Sequence, residues 1–191
     1  MLIRTVALAT TLALSPVAAF ADWQIDPSHT AVVFEVEHFG YSEVTGVFPT
    51  VEATIDSFDP EDLDTAKFSV TLDATAITTF WGPRDEHIKS PDFLDVAKFP
   101  EITFVSTAVK TTGDGTADVT GDLTIKDVTK PVTFKATVNK IGESPVMPGT
   151  QVAGFTLTGE IDRTEFGVDT YAPAVGAIMP VTINVELNNK S

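Results

Sequence analysis

The chain has 191 residues, no cysteine, 27 Asp and Glu against 12 Lys and Arg, and 43% hydrophobic residues. That balance excludes a disulfide scaffold, a thiolate metal site and wholesale disorder. A formal charge of −15 repels nucleic acid phosphate and anionic membrane surfaces, so any partner is expected to be held by shape and apolar contact.

Residues 1–21 carry one charge, Arg4, then an apolar run from Val6 to Leu14, a helix-breaking Ser15-Pro16, and the small-x-small triplet Ala19-Phe20-Ala21 just before Asp22. This tripartite pattern predicts a cleavable secretory signal peptide. A retained membrane anchor would need about 20 apolar residues, and Pro16 comes too early. The expected mature chain, residues 22–191, loses Arg4 and reaches −16. It is expected to be an exported, periplasmic protein of one domain.

The mature chain alternates with period two, segment after segment. Val32, Phe34, Val36 and His38 share one face while Glu35 and Glu37 take the other, the pattern of a half-buried strand. The same alternation returns at Phe68/Val70/Leu72, Val132/Phe134/Ala136/Val138, Ala153/Phe155/Leu157/Gly159/Ile161 and Val181/Ile183/Val185/Leu187. Weaker versions fall at 44–56, 101–109 and 116–126, the last two joined by the hairpin signal Thr112-Gly113-Asp114-Gly115. The pattern predicts eight strands. No long amphipathic helix is available to cover such a sheet, so closure into an eight-stranded antiparallel barrel is expected, with a two-sheet sandwich as the alternative. Gly46, Gly121, Gly154 and Gly159 fall inside strands, where bends or bulges are expected.

Between the third and fourth expected strands, residues 74–100 lose the period of two. Pro83 to Lys89 reads as a short helix with proline in its first turn, and Ser90 to Leu94 as a second turn. Connections above about 12–15 residues tend to carry function or structure of their own. This one, with Phe80, Trp81, Phe93, Leu94 and Phe99, is expected to cover an end or flank of the barrel. Residues 141–150 read as an exposed linker, and 162–179 as a second irregular stretch.

Candidate chemistry is sparse. His29, His38 and His87 lie 9 and 49 residues apart, which is no metal-binding spacing, and His38 reads as a hydrogen-bonded rim histidine. No G-x-S-x-G elbow or cysteine nucleophile occurs, and the acidic run from Asp59 to Asp64 reads as a solvated turn rather than as paired catalytic acids. Neither a metal nor another cofactor is expected. Arg84 and Arg163 are the only arginines of the mature chain, each beside an aromatic and an acidic residue. Pairing with a nearby Asp, to fasten a loop, is favoured over contact with an anionic head group. Phe34, Phe68, Phe104, Phe134 and Phe155 lie on the apolar faces of five strands and are expected to converge inside, by themselves a packed core as readily as a cavity wall.

Six segments resemble the YceI-like family, in the family's order and across the mature chain. They are Trp23 to Thr30 (WQIDPSHT), Arg84 to Ser90 (RDEHIKS), Asp92 to Val96 (DFLDV), Phe99 to Phe104 (FPEITF), Gly121 to Lys126 (GDLTIK) and Ile161 to Gly167 (IDRTEFG). Thr30 and Asp127 depart from the family's usual residues. The resemblance implies a periplasmic or secreted lipocalin-like barrel that binds polyisoprenoid or other long-chain amphiphilic lipid in an elongated cavity, without catalysis. It implies a lining that includes Phe34, Val36, Phe68, Val70, Phe104, Leu123, Phe134 and Phe155, with Trp81 and Phe93 near the mouth. Arg84, His87 and Arg163 are candidates for contact with a polar head group. A strand of about ten residues spans roughly 33 Å, long enough for an uncoiled prenyl tail. Membrane contact is expected to be transient, no nucleic acid partner is expected, and a homodimer is left open. The alternatives are an enzyme acting on an isoprenoid-type substrate, with His38 as first candidate, and a stress-response protein with a filled core and no ligand.

Overall fold

A computed structural model describes residues 22–190; the expected signal peptide lies outside them. The chain forms β1 (Trp23–Ile25), β2 (Ala31–His38), β3 (Ser42–Phe48), β4 (Val51–Asp59) and β5 (Asp62–Asp73). After an insertion containing α1 (Gly82–Lys89) come β6 (Glu101–Gly113), β7 (Thr116–Ile125), β8 (Val128–Glu143), β9 (Thr150–Asp162) and β10 (Ile178–Lys190). All pairings between these strands are antiparallel, in the order β3-β2-β10-β9-β8-β7-β6-β5-β4, with β1 also on β10. The all-β, lipocalin-like expectation stands, as does the short helix, now between β5 and β6.

The strand count differs from expectation, ten rather than eight. The segment 44–56 is two strands because Pro49, which has no N–H for a ladder, sits between them. The three-residue β1 is too short to leave a periodic signal. Of the expected linker 141–150, residues 144–149 form the turn, pinned by Ser144 N–H donating to the Thr150 carbonyl at 2.8 Å, while 141–143 and Thr150 belong to the ends of β8 and β9.

Curling brings the sheet's two ends together without a continuous ladder. One half of the seam is a backbone pair, in which Val47 N donates to Thr78 O at 2.8 Å and Thr78 N returns the bond at 3.1 Å. The other half is closed by side chains. β1 lies beside β4 without ladder bonds, and Trp23 meets Phe58 edge-on at 5.1 Å, which in turn meets Phe155 edge-on at 5.8 Å. Edge-to-face aromatic pairs contribute about 0.5–1.5 kcal/mol beyond their buried area.

The strand glycines serve two purposes. Gly121 and Gly154 lie opposite bulges in β6 and β8, as expected. Gly46 and Gly159 make no bulge; with Gly121 they seat phenylalanine rings. A Cβ on Gly46 would lie 2.1 Å from Phe34 Cζ, one on Gly121 2.3 Å from Phe104 Cζ, and one on Gly159 2.7 Å from Phe134 Cδ1. Each ring therefore lies flat on the backbone of a neighbouring strand.

At Gly121 a Cβ would also stand 2.5 Å from the Val105 carbonyl, which no rotamer change relieves. Gly121→Ala is expected to cost about 1–3 kcal/mol in urea unfolding. Gly142→Ala, where a Cβ meets nothing within 4 Å, is expected to stay within about 0.5 kcal/mol. Equal effects of the two would contradict the ring-on-glycine packing.

Candidate functional site: an apolar cavity open at one end

The inward faces enclose a cavity of about 780 Å³, inside the range of about 300–1,000 Å³ typical of small-molecule sites. Its wall is almost wholly aromatic and aliphatic. Among the described residues no large side chain is completely buried; Phe34, Leu123 and Phe134 keep 6–8% of their surface because they face a void rather than one another.

The two ends differ. At the end carrying the turns after β4, β6 and β8, the Trp23–Phe58–Phe155 stack and the buried Leu187 and Ala153 close the lumen. At the other end converge the β2–β3 turn, the insertion 74–100, the β7–β8 turn and the β9–β10 loop. Phe39 N donates to Ala174 O at 3.1 Å, Lys126 Nζ to Gly167 O at 3.1 Å, and Thr170 Oγ1 to Asp92 O. The lining residues here are exposed: Phe39 49%, Trp81 58%, Tyr171 59%. This end is the mouth.

Phe34, Val36, Phe68, Val70, Phe104, Leu123, Phe134 and Phe155 all face the cavity. Trp81 stands at the mouth, and Phe93 lies beside it between His87 (5.0 Å) and Tyr171 (6.2 Å). Arg84, His87 and Arg163 also border the cavity, but both arginines are engaged. Arg163 is buried and donates Nε to Gly176 O at 2.8 Å, Nη2 to Val175 O at 2.8 Å, and Nη1 to Val168 O and to Thr170 O at 3.1 Å. Four of its five N–H groups thus pin the β9–β10 loop, and burial pulls its pKa below the ordinary arginine value against the charges of Asp169 and Asp162.

Arg84 donates Nε to Thr79 Oγ1 and Nη2 to Thr79 O, both at 2.7 Å, with its guanidinium 5.6 Å from the Trp81 ring centre. Thr79 Oγ1 donates in turn to Asp85, which also accepts from Thr79 N at 2.7 Å and Thr78 Oγ1 at 3.0 Å. Burial alone would raise the Asp85 carboxyl; these bonds hold it below its ordinary value. The loop-fastening role anticipated for the arginines is present, but their partners are backbone carbonyls and a threonine, not aspartates. His87 faces Asp92 across 3.4 Å. Sequence reasoning missed Phe39, Thr79 and Tyr171; bulky aromatics at turn positions were the available signal.

A polar cluster lies elsewhere, at the corner between β1 and β2. Asp26 Oδ2 accepts from His29 Nδ1 at 3.0 Å and Asn188 Nδ2 at 3.1 Å, while Oδ1 accepts from Ser28 N at 2.9 Å and Oγ at 2.6 Å. Glu186 lies 3.6 Å from His29. One side-chain atom each of Asp26, His29 and Glu186 lies within 4.8 Å of the other two, and the bond from Asn188 ties the corner to β10.

The architecture and lumen define a hollow antiparallel barrel of the lipocalin-like kind. The YceI-like domain model matches residues 23–188, and the chain belongs to that family. It is 44% identical over 173 residues to a UPF0312 protein of Pseudomonas savastanoi pv. phaseolicola, covering 90% of this chain and 88% of that one. A crystal structure of the Campylobacter jejuni YCEI protein superposes with a TM-score of 0.74 at 29% identity, over 81% of this chain and 90% of that one. A polyisoprenoid binding domain from Saccharophagus degradans shares the fold with a TM-score of 0.68 at 11% identity, covering 88% of this chain and 99% of that one.

The corner cluster has a defined pH dependence. Hydrogen bonds from Ser28 and His29 hold Asp26 below the ordinary carboxylate value, so its contribution to stability is present above that value and fades as pH falls. The hydrogen bond with Asp26 and the charge of Glu186 raise His29, so its contribution is full below the ordinary imidazole value and fades as pH rises. The Tm difference between wild type and Asp26→Asn is therefore expected to peak at roughly pH 4–6.5, and the NMR-monitored pKa of His29 to fall in the variant. A Tm difference independent of pH would contradict the coupling.

Proposed function

We propose that this protein binds a polyisoprenoid or other long-chain amphiphilic lipid inside the barrel and carries or sequesters it without chemical change. The observation that carries this reading is the open-ended apolar cavity of about 780 Å³ in a YceI-like chain. The polyisoprenoid-binding description of the Saccharophagus degradans neighbour is consistent with it. Burying one five-carbon isoprene unit from water is worth at most roughly 4 kcal/mol, so a few units outweigh the cost of association. A tail drawn from a bilayer only exchanges one apolar medium for another, which suits reversible loading better than tight storage.

A non-catalytic role is supported by the lining. Its central stretch carries no titratable side chain, and His38 is exposed at the rim with its ring 4.6 Å from Phe39. A head group at the mouth would meet His87 and the edges of Trp81 and Tyr171 more readily than the two occupied guanidinium groups. Residues 1–21 support export to the periplasm; N-terminal sequencing of the exported protein is expected to begin at Asp22. Contact with an anionic membrane is expected to be brief, given the charge of −16 on residues 22–191.

Mass spectrometry of an organic extract of natively purified protein is expected to return a long-chain species in stoichiometric amount. Val70→Trp places an indole in the lumen. It is expected to weaken uptake of the neutral fluorophore N-phenyl-1-naphthylamine about tenfold or more while shifting stability by less than the 1–3 kcal/mol typical of overpacking. A large loss of stability, with no extracted lipid, would favour a filled core.

A further inference from the structure

The nine large hydrophobic side chains that are exposed among the described residues are distributed unevenly. Five are aromatic, and all five, Phe39, Tyr41, Phe80, Trp81 and Tyr171, belong to loops at the mouth. Only Val146 and Met147 are exposed on the turns at the closed end. Three of the five hold left-handed backbone conformations: Phe39 at φ 55°, Phe80 at φ 64° and Tyr171 at φ 61°. That region is costly for a bulky side chain, and here it goes with aromatic rings left in water.

We infer that the aromatic mouth is a docking surface for the interfacial layer of a phospholipid bilayer, and that lipid enters or leaves the cavity while the rings are seated there. This deepens the lipid-carrier reading and rests on it. Trp and Tyr, apolar in body and polar at one edge, are the side chains that settle at the head-group level. A cavity that ends among such rings spares an apolar tail the passage through water. Phe80 and Tyr41 are 75% and 89% exposed and do not line the cavity, so their part is contact with the bilayer rather than with cargo.

The test uses vesicles of phosphatidylcholine carrying brominated acyl chains. Trp23 is buried and Trp81 exposed, so quenching and a blue shift of emission report Trp81 entering the interface. Wild type is expected to be quenched. The double variant Tyr41→Ser/Phe80→Asn, in which Asn tolerates the left-handed backbone at position 80, is expected to bind vesicles about tenfold more weakly. Its uptake of N-phenyl-1-naphthylamine in solution is expected to be unchanged. Val146→Ser/Met147→Ser, at the closed end, is expected to match wild type in both assays. Fluorophore uptake by wild type with no vesicle quenching would overturn the docking inference and leave the carrier reading intact. Quenching with no uptake would support docking and defeat the carrier reading. Equal weakening by the closed-end variant, or burial of Trp81 by self-association in the absence of vesicles, would also overturn docking.

Discussion

Phenylalanine rings resting on strand glycines are the contact on which the rest of this barrel depends. Phe34 lies over Gly46, Phe104 over Gly121 and Phe134 over Gly159. A missing Cβ lets an aromatic ring lie against the backbone of the next strand instead of standing up into the lumen. The wall gains large apolar area, the sheet curls around it, and the centre stays empty. Ordinary side chains at those glycines would force the rings inward, and the interior would fill as most cores do.

Two seams then finish the barrel without a full ladder. The Val47–Thr78 pair holds the half nearer the mouth, and the Trp23–Phe58–Phe155 stack plugs the closed half. The polar groups are arranged to serve the same ends. Arg163 spends four donors on loop carbonyls, and the Arg84–Thr79–Asp85 network fixes the insertion that carries Trp81. The two charged side chains that border the lumen, Arg84 and Arg163, are tied up in these bonds, and the rest of the wall leaves an apolar chain as its natural occupant.

Period-two alternation made most of the wall legible from sequence, because a strand with one face inward repeats every second residue whether that face meets a void or a core. Phe34, Phe68, Phe104, Phe134 and Phe155 were placed inside for that reason. What alternation does not carry is whether the space beyond them is filled, since that depends on where rings lie relative to glycines on neighbouring strands. β1 escaped because three residues hold no period, and the break at Pro49 was hidden by apolar residues on both sides of it. The roles of Arg84 and Arg163 were legible in kind but not in partner, because backbone carbonyls leave no mark in a sequence.

An apolar lumen reachable from outside should take up a free prenyl chain from solution. Isothermal titration calorimetry with farnesol at several temperatures measures this directly. Saturable binding at one site per barrel with a clearly negative heat-capacity change is the expected result, because that sign accompanies burial of apolar surface. No saturable binding, or a heat-capacity change near zero, would contradict it.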